Sequence, residues 1–299
     1  MTLRIIRPLD IREANIVSTN LALETEWTAG TYSLGDTARV GEYLWEVSAE
    51  TTTEEPGTGT DWFSIGPANR YAAFDQQFGL DKYRIVETVT RNADSIEYEL
   101  TGLTRVSGIA MFGIVAQSIR IRASQDTPGD IMDTTYTVKD STSYNGSMWR
   151  WLFLPQSFER NYLNLDLNIP AGATIEITLD NTGGTAAVGS MALGVVDEFG
   201  IVTTKPVRSI RSRSIKKTEG ALTSLLRRTP SAKVTYPVTL LSYQADPFWR
   251  LMDDLDGVAA VFAGPDNYPE LSVYGFHSNV QSVSEAFGRS TVSIEVETL

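Results

Sequence analysis

Three sets of residues in this chain are of the types that do chemistry. Asp253, Asp254 and Asp256 crowd three carboxylates together, Glu54 and Glu55 pair two more, and His277 is the one imidazole among 299 residues. A calcium site needs oxygen ligands at the fixed spacing of a loop. The three aspartates lie instead on the polar side and at the end of a helical pattern, where solvated surface is their ordinary place. Glycoside hydrolysis needs two carboxyl groups at a fixed separation, and Glu54 and Glu55 are neighbours in a Thr-, Gly- and Pro-rich run that fixes none. An acyl-transfer triad would have to be built around His277. That residue sits in "SVYGFHSNV", between two strand-like runs, where a structural or surface histidine is the default. Gly-rich phosphate loops, serine elbows and zinc-protease helix motifs are missing from the sequence. The expectation is a protein that is not an enzyme and holds neither a metal nor a cofactor.

Two further sets suit binding. Residues 42 to 75, "EYLWEVSAETTTEEPGTGTDWFSIGPANRYAAFD", place Tyr43, Trp45 and Trp62 around a polar run with little to pack. Flat aromatic faces stack on sugar rings, fill the core of a small domain, or touch a neighbouring protein. The stretch "KPVRSIRSRSIKK" gathers Lys205, Arg208, Arg211, Arg213, Lys216 and Lys217 in a chain of net charge -12. Its spacing is irregular and Ile210 and Ile215 interrupt it, so it is neither a basic tail nor a helix face. A solvated loop and a docking surface for an acidic neighbour both fit, since opposite charges steer encounter and fix register. The acidic balance of the whole argues against nucleic acid as a partner.

The elements that must position these residues are mostly strands. A hydrophobic fraction of 42% and a charged fraction of 21% are those of a globular protein long enough for two or three domains. No apolar run approaches the roughly 20 residues that span a bilayer, and the opening "MTLRIIRPLDIREANIV" lacks the apolar core of a secretory signal. With no cysteine, stability must come from packing.

Four regions follow. Residues 1–22 predict a short helix capped by Asp10, with Ile11, Ala14 and Val17 near one face. Residues 23–67 read as a small β-module with a long polar hairpin loop, cut by Gly30, Gly35, Gly41, Gly57, Gly59 and Gly66. Residues 68–200 alternate apolar and polar positions, as at Ile119 and Ile121, at Leu163, Leu165 and Leu167, and at Ile175, Ile177 and Leu179. Such alternation predicts half-buried antiparallel strands closing into a β-sandwich of jelly-roll type. Residues 201–299 predict an α+β domain. Its helix has Asp246 as cap, Pro247 at the first position, Phe248, Leu251, Met252 and Leu255 on one face, and Gly257 as stop.

The order of motifs resembles the opening of structural tail proteins of long-tailed bacteriophages and related prophages. The residues that carry it are Ser18 to Asn20, Trp27, Tyr32, Gly35, Asp36, Tyr43, Trp62, Gly66, Asn69, Arg70, Phe74 and Asp75, with "WRWLFLP" and the "LSVYGF...STVSIEVETL" ending downstream. Within it, Trp27 to about Pro67 is similar to the small chitin-binding modules of bacterial chitinases. That likeness implies a sugar platform at Trp62, Trp45 and Tyr43, although a module this small needs most of its aromatics as core.

The resemblance implies a structural virion protein of the tail tip or baseplate, made in the host cytoplasm, binding other tail proteins and copies of itself in a ring or multimer. Lys205, Arg208, Arg211, Arg213, Lys216 and Lys217, together with the C-terminal sheet, are the expected assembly surface. A receptor-binding protein recognising host surface glycan through exposed aromatics is the alternative, and a cell-wall-degrading tail enzyme is a third reading. Neither nucleic acid nor membrane insertion is expected.

Overall fold

Strands form most of the chain, as the alternating pattern predicts. The computed structural model describes residues 2–77, 88–126, 129–138, 148–153, 159–202, 206–219, 222–226, 230–264, 269–285 and 288–298. Two compact units emerge, one of Leu9–Leu193 and one of Met1–Pro8 with Gly194–Leu299. The strand Ser190–Phe199 runs from the first into the second.

In the unit Leu9–Leu193, five antiparallel strands lie in the order Gly129–Thr137, Ser118–Gln125, Thr174–Val188, Thr90–Leu100 and Ile16–Thr19. Register explains why the alternating positions become core. Ile121 and Tyr98 both stand opposite Ile177, and Ile119 and Ile96 both stand opposite Leu179, so all six point to one sheet face. That face packs against Ile109, Met111, Tyr162, Met191 and Leu193 of the opposing strands to make the core of a β-sandwich. The short N-terminal helix is a single 3-10 turn, Glu13–Asn15, followed at once by the strand Ile16–Thr19. Asp10 does not cap it; the Arg12 N–H is satisfied by Asn15 Oδ1 at 3.1 Å. The β-branched Ile16 and Val17 favour pairing with Thr90–Leu100 over a further helical turn, and Val17 is left exposed.

The other unit is one antiparallel sheet with a helix on it. Leu3–Pro8 pairs with Gly194–Phe199 of the shared strand on one side and with Ala260–Ala263 on the other. The sheet continues through Val273–Glu285, Arg289–Thr298 and Ser231–Leu241, and Ile201–Val202 and Val207–Arg211 both pair with the last of these. The helix spans Ser242–Asp254 and buries Phe248, Leu251 and Met252, with Leu255 just beyond its end. Each such side chain contributes about 1.5–3 kcal/mol of burial. It begins five residues before the predicted start, because the Ser242 N–H donates to the Gly288 carbonyl at 3.0 Å and the Leu241 N–H to Gln244 Oε1 at 3.2 Å. Orphan donors are thus satisfied without Asp246. Pro247 lies in the second turn, on the exposed side.

No described helix is long and apolar enough to cross a membrane.

Candidate functional site

The aromatic segment is a small module in which the rings face one another. Thr37–Val40, Tyr43–Val47 and Trp62–Pro67 form a three-stranded sheet, and Tyr32–Ser33 pairs with Thr51–Thr52. Trp62 is 4% exposed and packs with Ala38 and Val47 in a core flanked by Trp27, Tyr32, Trp45 and Ala49. The Tyr32 ring meets it edge-on at 5.2 Å. Trp45 lies under the loop, so that a Cβ on Gly57 would touch its ring at 3.4 Å. Tyr43 packs instead against the core of the sandwich. The Trp62 ring is therefore spent on the module's interior and offers no face to a sugar.

The polar run between the two tryptophans is an ordered loop. Trp62 Nε1 donates to the Glu54 carbonyl at 2.9 Å, the Ser48 N–H to the Asp61 carbonyl at 2.8 Å, and Thr58 Oγ1 to the Glu55 carbonyl at 2.6 Å. One indole thus anchors a stretch in which Pro56 is the one apolar side chain from Glu50 to Asp61.

"GPANRYAAFD" fastens the module to the sandwich. The Asn69 side chain donates to the Arg91 carbonyl and accepts from the Arg91 N–H, both at 2.8 Å, imitating a strand neighbour. The Asn69 N–H donates to Glu24 Oε1 at 2.8 Å, and the Ala68 N–H to the Glu42 carbonyl at 2.9 Å. Arg12 also reaches Glu42, at 3.3 Å. Tyr71 and Phe74 enter the sandwich core, where Phe74 meets Tyr98 edge-on at 5.5 Å. Asp75 is 1% exposed and accepts from the N–H and hydroxyl of Thr88 at 2.9 and 3.0 Å. Tyr98 donates to the Arg70 carbonyl at 2.8 Å, and burial pushes its phenol well above the ordinary value. These residues are a structural joint.

Comparison with known protein families, curated proteins and solved structures finds no match.

The basic stretch lies on the other unit. Lys205 falls outside the described residues. Arg208 and Arg211 stand on Val207–Arg211, whose five residues are all exposed, and Arg208 donates to the Glu270 carbonyl at 2.6 Å. Lys216 and Lys217 stand on Ile215–Glu219, which among the described residues pairs with Leu222–Leu226 alone as a two-stranded ribbon; Arg213 is exposed between the two segments. Ile210, Ile215, Leu225 and Leu226 are exposed beside these cations. Charge and apolar surface are brought together, and both face water.

Of the residues considered for chemistry, Asp253, Asp256 and His277 line one open pocket, and Glu54 and Glu55 are not part of its lining. Among the described residues no group of three or more His, Asp or Glu side chains could hold a metal ion. His277 is half-buried on Val273–Glu285 with its Nδ1 unpartnered, and Glu54 and Glu55 stay in the module loop. Sequence reasoning missed the ribbon, although "IKKTEGALTSLL" carries a glycine between two strand-length runs. It also missed the helix Met148–Phe153, where Trp149 and Phe153, four residues apart, are both exposed with ring centroids 4.0 Å apart.

Proposed function

We propose that this chain is a structural protein of a phage tail tip or baseplate, holding neighbouring tail proteins in a symmetric assembly and doing no chemistry of its own. The observation that carries the binding role is the exposure of Arg208, Arg211, Arg213, Lys216 and Lys217 together with uncovered Ile210, Ile215, Leu225 and Leu226. Exposed aliphatic side chains interleaved with charge are what an interface needs and a free surface does not. The order of motifs from Ser18 to Asp75 points to tails. Those motifs serve packing: Trp62, Asn69, Phe74 and Asp75 hold the module in place, as a load-carrying part requires. In a ring of copies, contacts that are weak singly add through multivalency.

Imaging of intact virions with a tagged copy tests this reading. The tag is expected at the distal end of the tail; a tag on the capsid, or particles without it, overturns the assignment.

A further inference from the structure

The end of the helix Ser242–Asp254 faces an open pocket of about 560 Å³, walled by Trp249, Met252, Asp253 and Asp256 on one side and by His277 to Val280 on the other. The strand is bulged at Ser278, between His277 and Asn279. Asp254 has Arg7 at 3.9 Å, but among the described residues neither the Asp253 nor the Asp256 carboxylate has an ion-pair or hydrogen-bond partner. Their position makes this costly. A helix C-terminus already carries partial negative charge from its unpaired carbonyls, and the last turn here contains no basic residue to offset it. Two unpaired carboxylates, a helix C-terminus and an indole wall all favour a cation, the indole through its negative ring face. The size fits a side chain or two rather than a large ligand.

The ribbon of Ile215–Glu219 and Leu222–Leu226 has the opposite needs. Opposed residues share a face, so Ile215 and Leu226 lie on one side and Lys216 and Leu225 on the other. Ile215, Leu225 and Leu226 are exposed, so neither side is covered. An isolated two-stranded ribbon is marginal in water. It gains stability when Leu225 is buried and Lys216, on the same side, meets a carboxylate.

We propose that the ribbon of one copy docks at the pocket of a second copy through the face that carries Lys216 and Leu225, with Lys216 meeting Asp253 and Asp256 beside Trp249. Such a contact joins different surfaces of the two copies, the kind that propagates into a ring when the rotation closes. The inference rests on the assembly reading above and names the partner of the basic segment. The chain's strong negative balance outside this segment makes a second copy a complementary surface for it.

Sedimentation of the full chain tests it. Wild type is expected to self-associate and to dissociate as salt rises. The Lys216→Glu and Asp253→Lys variants should each weaken association about tenfold or more, and the two changes together should restore it. Because the chain has no cysteine, K216C and D253C copies of different mass, when mixed, should form the mixed disulfide under mild oxidation. Monomeric wild type, charge variants that associate as wild type does, or a mixture giving only like-with-like disulfides overturns the docking. The mixed disulfide also decides the matter if a charge variant fails to fold. Virion imaging separates the two readings: monomers found at the tail tip sink this docking alone, and a self-associating chain absent from particles sinks the tail assignment alone.

Discussion

Trp62 Nε1 donates to the carbonyl oxygen of Glu54 at 2.9 Å, closing an eight-residue loop on a buried ring. One side chain thereby fills the module's core and ties to it a run of Thr, Glu, Gly and Pro that is otherwise held by its own hydrogen bonds. Trp62→Ala should cost about 3–5 kcal/mol, the usual range for emptying a large aromatic site. Trp62→Phe keeps much of the packing and loses mainly the donor, about 0.5–1.5 kcal/mol. Denaturant midpoints of the three proteins check this. Equal stability of wild type and the alanine variant would mean that the ring is not part of the core.

Asn69 replaces a strand. Its amide makes two backbone bonds to Arg91, one as donor and one as acceptor, at the place where the module's chain enters the sandwich. Asn69→Ala removes both and should cost about 1–3 kcal/mol. Asn69→Asp keeps the acceptor and loses the donor, so it should fall between. Amide exchange at Arg91 is the local readout, and it should accelerate in both variants with the larger effect in alanine.

Alkaline pH should unfold the protein through its buried phenols. Burial pushes Tyr98 and Tyr236 well above the ordinary 10.0, while Tyr136 is pushed up to about 12, first by its hydrogen bond to Glu159 and then by burial. Above pH 10.0 the unfolded chain releases these protons and the folded chain keeps them, so stability falls as pH rises. Their contribution is complete below 10.0 and is lost as pH rises toward the folded values, which for Tyr136 ends near 12. Denaturant midpoints should therefore fall across that window, and Tyr98→Phe should flatten the fall. Tyrosinate absorbance that rises near pH 10 for all tyrosines of the folded protein would contradict it.

Periodicity made the sandwich and the helix face legible. Ile119, Ile121, Ile175, Ile177 and Leu179 alternate because one sheet face is buried, and Phe248, Leu251, Met252 and Leu255 recur because one helix stripe is buried. What periodicity does not contain is pairing across long sequence distances. Leu3–Pro8 joins the sheet of Ala260–Ala263 through register that no local pattern announces. The helix start was hidden for the same reason: its first N–H is satisfied by Gly288, more than forty residues away. Asp246 and Pro247 look like a cap and a first turn only when that carbonyl is unseen. The aromatics around Trp62 were ambiguous because a sugar platform and a small core use the same residue types, and only burial separates them.

Gly194 tests that long-range pairing directly. It stands opposite Pro8, and a Cβ there would overlap the Arg7 carbonyl and press on the Ile6 side chain at 3.2 Å. The obstacle is mostly backbone, which cannot swing aside as a lysine would, so Gly194→Ala must move the strand Leu3–Pro8 or break its pairing. A loss of about 2–4 kcal/mol is expected, the range for backbone and overpacking effects. Gly172→Ala is the control. It has open space around the Cβ and only a positive φ of 77° to strain against, which should cost about 1 kcal/mol. Urea midpoints for the two variants should separate in that order, and equal midpoints would show that Leu3–Pro8 adjusts to a side chain without losing its place.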